Sequence, residues 1–337
     1  MTDDWVALHV FYASDANPIL VEAVRPLVAE LRQDGLIDGW FFIKYWMEGP
    51  HVRVRLYPAD PARRDEVEAR ATAAIEAFLK RRPALYDTDV AGLGELYRKM
   101  YVAEYGEERY VEEYGDGEMP FRPNNSVIAF DYEREYDRYG GPVGMELAEW
   151  HFEHSSDLVV KLLATSNTHV RPVLLGLATQ LSLLTAYTFL GTDEAVRRFF
   201  ERYRGFWETS YQEPSDDYHG SFDKSYELTK ATLLERIDRI RAITGQTGEQ
   251  ALSGIELTWL SHCRELRDRV RAAADRGELR FAGGRAVDDP EALAAVLLSS
   301  YIHMTNNRFG VAILDEIYLS YLIEKALDPA ARLAEPT

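Results

Sequence analysis

The stretch 39–57, GWFFIKYWMEGPHVRVRLY, decides how this chain folds. Its first half, 39–46, is dense in aromatic residues and predicts a strand. Glu48-Gly49-Pro50 supplies a short turn, and 51–57 predicts a second strand, so the two form a hairpin. Side chains alternate along that second strand: His51, Arg53 and Arg55 share one face, and Val52, Val54 and Leu56 share the other. The apolar face is expected to pack on helices. The opposite face carries two guanidinium forks and an imidazole in a row, about 6–7 Å from one to the next. Arginine suits bidentate recognition of carboxylate or phosphate. The bland alternative is a solvated strand face whose charges pair with neighbouring Glu or Asp.

Working outward, residues 5–12 predict a strand, and Asn17-Pro18 opens a helix that runs to about Asp34 and stops at Gly35. Pro58 ends the third strand, and 63–80 predicts an Ala-rich amphipathic helix. The opening is thus β-α-β-β-α. Residues 83–144 read as less regular, rich in Tyr, Gly, Glu and Pro, with a short strand at about 126–131. From Gly144 onward helices are expected at about 144–165, 171–190, 193–209, 222–243, 250–276 and 290–326. Breaks are expected at Gly191, Pro214 through Gly220, Gly245 through Gly248, and Gly283-Gly284. The expected class is α+β: a small mixed sheet in 1–143 and a mainly helical part in 144–327, intertwined as one unit.

The chain has 337 residues, 46% hydrophobic and 28% charged, a balance that supports a real core rather than disorder. Its formal net charge is -18, from 56 acidic and 38 basic residues, which disfavours direct nucleic-acid binding. A basic row inside so acidic a chain stands out. The single cysteine, Cys263, excludes an internal disulfide framework and a Cys-based zinc site; it reads as a small buried or half-buried helical residue. The start, MTDDWVALHV, lacks the basic region and long apolar core of a signal peptide. No run approaches the roughly 20 apolar residues of a membrane span, so a cytoplasmic protein without membrane contact is expected.

Two other segments could carry chemistry. In EREYDRYGGPVGMELAEWHF, Arg138 and Tyr139 precede a Gly140-Gly141-Pro142 turn at a helix start, where exposed backbone N–H groups can meet an anion; an ordinary turn with Arg138 in a surface pair reads equally well. In LLSSYIHMTNNRFGV, His303 interrupts an apolar helix, with Asn307 one turn on and Arg308 beside that face. His303 is either a satisfied core histidine or an acid/base near neutral pH. His151, Glu153 and His154 lack the HExxH spacing of a helical zinc site and are expected at the surface. Gly140-Gly141 and Gly283-Gly284 lack a dinucleotide-site context, and no P-loop or GxSxG elbow is present. The 20 tyrosines read as packing residues more readily than as the lining of a groove.

Three segments together resemble one family, the glutamate-elimination domain of lantibiotic dehydratases, also called the thiopeptide-type bacteriocin biosynthesis domain. GWFFIKYWMEGPHVRVRLYP is similar to its aromatic-aromatic-Ile-Arg-Tyr, Gly-Pro-His, Leu-Arg-Leu-Arg opening. YEREYDRYGGPVGMELAEWHFEHSS is similar to its Tyr-x-x-Glu-x-x-Arg-Tyr-Gly-Gly block, and SSYIHMTNNRFG to its His-Met-x-x-Asn-Arg block. The blocks occur in order across about 5–325.

The resemblance implies one elimination-like domain over 1–337, lyase activity, and expulsion of glutamate from glutamylated Ser or Thr of a precursor peptide to leave dehydroamino acids. It implies catalytic roles for Arg53, Arg55, Arg138 and His303, with His51, Lys44, Tyr139, Asn307 and Arg308 at the substrate. No cofactor or metal is expected. The expected partners are a precursor peptide with its leader and a separate glutamylating dehydratase, since 337 residues hold only the elimination part; a homodimer is one option, and the sequence leaves the oligomeric state open. Lys44 departs from the family's Arg, keeping charge but losing the planar fork. Two other readings stand beside elimination: a thiopeptide pyridine synthase, which joins two dehydroalanines in a formal [4+2] cycloaddition and releases the leader, and a noncatalytic scaffold for precursor peptide.

Overall fold

The computed structural model of the chain describes residues 4–86, 90–211, 218–245 and 253–329. Residues up to 134 together with 155–166 form one compact unit, and 135–154 with the residues from 167 onward form the other. The α+β expectation holds, with a small sheet toward the N-terminus and helices after it.

In the first unit, β1 (Val6–Phe11) is followed by helical segments at Asn17–Ile19, a π-turn at Leu20–Val24, and α1 (Arg25–Gln33). The hairpin β2 (Ile37–Tyr45) and β3 (His51–Pro58) comes next, then α2 (Arg64–Arg81), α3 (Val90–Tyr105), α4 (Glu107–Tyr114) and β4 (Ser126–Ala129). The strand order is β2-β3-β1-β4 and every pairing is antiparallel, which corrects the expectation of a mixed sheet. The reason is that β3 inserts between β1 and β2 and runs opposite to both. Parallel β1 and β2 therefore never become neighbours.

One sheet face is apolar: Val52, Val54 and Leu56 have no exposure and stand in register with Val10, Leu8 and Val6. Burial of each stabilises the unit by about 1.5–3 kcal/mol. The outer edge of β2 is covered within the unit. There Phe42 N donates to Ser156 Oγ (3.2 Å) and Trp40 Nε1 to Asp157 Oδ1 (2.8 Å), which blunts an edge that would otherwise offer unpaired backbone groups. The hairpin turn holds Glu48, a non-glycine, at φ 59°. Arg122 retains it there, donating from Nε to the Glu48 carboxylate (2.6 Å) and from its backbone N to Glu48 O (2.9 Å).

The stretch read as irregular contains α3 and α4. Its signal is aromatic rather than aliphatic: Tyr97, Tyr101 and Tyr105 recur every fourth residue and pack with Tyr110, Tyr114 and Met119. Packing is therefore a structural use of these tyrosines.

The second unit contains α5 (Gly141–Thr165) up to His154, then α6 (Arg171–Leu190), α7 (Asp193–Tyr211), α8 (His219–Thr244), α9 (Gly254–Asp275), α10 (Pro290–Phe309) and α11 (Ile313–Leu327). The expected breaks at 214–217 and 246–248 lie outside the described residues. α6 is long and apolar enough to cross a membrane, which corrects the reading that no run of that kind exists. It packs against α8, α9 and α10, and most of 178–189 is buried inside the unit, the pattern of a core helix.

The helix expected over 290–326 is two. Gly310 takes the left-handed conformation (φ 85°), its N–H and that of Val311 close on Asn306 O (3.1 Å each), and α11 starts afresh at Ile313. α11 packs on α7, where Arg204 Nε donates to Glu324 (2.9 Å).

His151 is wholly buried, correcting its expected surface position, and His154 and Glu153 are half-buried. His262 lies between the other two rings, 5.2 Å from His151 and 4.5 Å from His154, nearly parallel to both. His151 Nδ1 and His262 Nε2 are 2.9 Å apart. Among the described residues no group of three or more His, Cys, Asp or Glu is arranged to hold a metal. Cys263 is buried beside Thr185 (3.5 Å), and burial pushes its thiol up to about 12.

Burial, with help from Arg308, holds the His151 pKa down at about 3. The unfolded chain therefore takes up the extra proton between about pH 6.5 and 3, so stability is full above that window and falls as pH drops through it, by about 1.4 kcal/mol per pH unit for this histidine. Urea unfolding from pH 7 to 4 is expected to show His151→Phe with the shallower slope; parallel slopes contradict it. A second expectation concerns Gly144, where a Cβ would meet Tyr139 O at 1.8 Å. Gly144→Ala is expected to lower unfolding free energy by at least about 2 kcal/mol in denaturant titration, and a change within about 0.5 kcal/mol contradicts the geometry.

Candidate functional site

The first unit carries the cationic row on β3, and strand register assembles its surroundings. Arg53 stands opposite His9 on β1 and Ile43 on β2, and His51 stands opposite Phe11 and Tyr45. His51 is buried and both ring nitrogens are engaged. Nδ1 lies 2.8 Å from Gly49 O, so it carries the proton and donates, while Nε2 accepts from Arg53 Nε at 3.1 Å. Burial and the neighbouring Arg53 hold its pKa down at about 3, so the ring stays neutral.

Arg53 is half-buried, with its guanidinium 3.6 Å from the centre of the Tyr45 ring. Its Nε is fixed by His51. Among the described residues neither Nη atom has a hydrogen-bond partner and no carboxylate lies in ion-pair range. A stacked, oriented guanidinium with its outer fork open suits a bidentate anion such as a carboxylate.

Arg55 differs. It is only 4% exposed, and its Nη2 donates to His9 Nε2 (3.0 Å) and its Nη1 to Val54 O (3.4 Å). Its positive charge lies just behind Arg53 without presenting the same open fork. His9 stacks between His51 (4.8 Å) and Phe130 (4.0 Å), and burial followed by Arg55 and Arg53 pushes its pKa far down. His9 is thus a neutral acceptor that lets Arg55 be buried. Sequence reading missed it, although a lone polar residue in VALHVF is the signal.

Lys44 stands in register with Val52, on the sheet face opposite the arginines. Its ammonium donates to Asn17 Oδ1 (2.8 Å), and burial holds its pKa down at about 8. The Arg-to-Lys departure therefore lies outside the row.

In the second unit, Arg138 belongs to a single helical turn, Tyr136–Tyr139. It donates from Nε to Ser300 Oγ (2.9 Å) and from Nη1 to Glu135 (3.0 Å), and keeps 39% of its side chain exposed. The Gly140 N–H closes this turn on Tyr136 O (3.0 Å), so it is already bonded rather than open to an anion. Tyr139, expected at the substrate, is buried against Phe152 and Tyr301, with burial pushing its pKa up to about 12. Arg308, also expected at the substrate, has no exposure, donates to Met304 O (2.7 Å), and lies over the Phe152 ring.

His303 is half-buried on α10, 4.7 Å from the Trp207 ring. Its Nδ1 lies 2.8 Å from Glu316 Oε1. Glu316 is buried in the first turn of α11 and also accepts from the Tyr203 hydroxyl and from Asn306 Nδ2 (3.4 Å). Asn306, rather than the expected Asn307, makes this contact; Asn307 is half-buried. Glu316 and Tyr203 were missed because the partner of His303 lies beyond the unanticipated break at Gly310. The legible signal is an acidic pair, Asp315-Glu316, in an otherwise apolar run.

Against known proteins, the family model for the C-terminal part of lantibiotic biosynthesis dehydratases matches residues 5–327. No curated protein matches the sequence significantly. Among solved structures, the fold is similar to the pyridine synthase TbtD from thiomuracin biosynthesis (TM-score 0.78, 18% identity, 98% of this chain and 100% of that chain). It is also similar to TsrL (TM-score 0.67, 18% identity, 100% of both chains). The tRNA-dependent lantibiotic dehydratase MibB from Microbispora sp. 107891 matches over 98% of this chain and 29% of its own (TM-score 0.50, 18% identity). With the family model spanning nearly its whole length, the chain belongs to the lantibiotic biosynthesis dehydratase C-terminal family.

Proposed function

We propose that the chain is a lyase of ribosomal peptide maturation that eliminates glutamate from glutamylated Ser or Thr of a precursor peptide. The observation that carries this reading is Arg53: an oriented guanidinium, stacked on Tyr45, with no carboxylate partner among the described residues of a chain of net charge -18. Such a group is suited to an acidic substrate group.

In this scheme His303 takes the Cα proton of the esterified residue, the electron pair forms the Cα–Cβ double bond, and the Cβ–O ester bond breaks to release glutamate. Arg53, within its own unit, is suited to hold a carboxylate of an acidic substrate. Arg138, held by Ser300 and Glu135, is the cation of the second unit proposed to steady developing negative charge. The substrate is a precursor peptide glutamylated by a partner protein.

Pyridine synthesis on an already dehydrated peptide is the second reading. It is favoured by the likeness to TbtD along both chains, a likeness of fold.

The test is incubation with a peptide carrying a glutamylated serine, followed by mass spectrometry and thiol trapping of the alkene. Elimination predicts released glutamate and a trappable dehydroalanine. Arg53→Ala and His303→Ala are each expected to lower kcat/KM by about 10²–10⁴-fold. Ring closure on a dehydrated peptide, with no glutamate released from the esterified one, overturns elimination in favour of the synthase.

A further inference from the structure

We infer that Glu316 is a positioning residue for His303: its buried carboxylate fixes the ring tautomer and ring plane and stands ready to stabilise the imidazolium that forms on proton uptake. This rests on the reading of His303 as the proton-transferring group. Three donors meet the two Glu316 oxygens, His303 Nδ1–H on Oε1 and the Tyr203 hydroxyl with Asn306 Nδ2 on Oε2. Three donors suit a carboxylate, an acceptor with two oxygens, and its buried place in the first turn of α11 adds favourable backbone dipoles.

With Nδ1 bound as a donor, the lone pair of a neutral His303 lies on Nε2, for which the described residues supply no partner. A carboxylate behind an imidazole stabilises the cation that forms on proton uptake and fixes the ring plane. The groups facing His303 from neighbouring helices are Glu316 on α11 and Trp207 on α7, with Tyr203 on α7 reaching it through Glu316. The Arg138 charge is felt at Tyr203. Asn306 lies on the helix of His303 itself. Glu316 is thus the only acidic group among them.

The architecture explains why so costly a carboxylate is tolerated. Burying an acid in an apolar helix interface is unfavourable unless every lone pair is met. Here α7 supplies the hydroxyl, α10 supplies the imidazole and amide, and the Gly310 break starts α11 three residues before Glu316.

The measurement is a side-chain ¹⁵N NMR titration of His303 in the full-length protein, compared with Glu316→Gln, Glu316→Leu and Glu316→Asp. The wild-type neutral ring is expected as the Nδ1–H tautomer. Glu316→Gln keeps the shape but removes the charge and is expected to lower the His303 pKa by about one unit or more, and Glu316→Asp restores part of it. Glu316→Leu removes the acceptor and is expected to mix the tautomers. With glutamylated peptide, Glu316→Gln is expected to lower kcat by about tenfold or more at little change in KM, and to move the acid limb of the pH profile downward. A His303 pKa and tautomer unchanged in every Glu316 variant overturn the inference.

Should Glu316→Gln fail to fold, Tyr203→Phe tests the same point in the opposite direction. Loss of the hydroxyl leaves more carboxylate charge on His303, whose pKa is expected to rise, and no movement overturns the inference. Glutamate release unaffected by His303→Ala while Glu316→Gln still shifts the His303 pKa would count against the elimination mechanism and leave the pairing standing.

Discussion

A charge inside an apolar layer must be met by partners, and in both units this constraint decides what the neighbouring residues are. On β3 the buried Arg55 requires an acceptor, and His9 supplies one only because it is kept neutral by burial and by the arginines around it. His51 likewise stays neutral, gives its proton to Gly49 O, and turns its other nitrogen to Arg53. The two histidines thereby leave the outer fork of Arg53 open, so the chemistry of the row comes from neutral acceptors rather than from acids. In the second unit the order is reversed: a buried carboxylate, Glu316, is met by three donors from two other helices.

Much of the first unit was legible because its signals are local. The alternation in HVRVRLY placed the arginines on one face and the valines on the other, as the burial pattern and register show. The antiparallel order was not legible, because which strand inserts between which is a long-range pairing. Nor were α3 and α4, since their packing stripe is tyrosine, a residue common in loops as well. The partners of the row, His9 and Tyr45, follow from register across strands and could be assigned only once the pairing was known.

In the second unit His303 and Arg138 stood out as polar residues at marked positions, yet their partners did not. A single glycine, Gly310, converts one long helix into two, and without that break Glu316 reads as another acid on a helix. Arg308 and Tyr139 are the converse case. Adjacent to motif residues in sequence, they are turned inward by helical periodicity and serve packing. Lys44 was similarly separated from the arginines by strand alternation.

Family membership fixes the class of protein, and likeness to structures at 18% identity fixes the fold, so the weight of the functional reading falls on Arg53 as an acid-binding group. Calorimetric titration of free glutamate, the leaving group of the proposed reaction, into the wild-type protein and Arg53→Ala tests this most directly. Binding by the wild type at least about tenfold tighter than by the variant, weakening as salt is raised, is the predicted result. Equal affinity in the two proteins, or none in either, would contradict it.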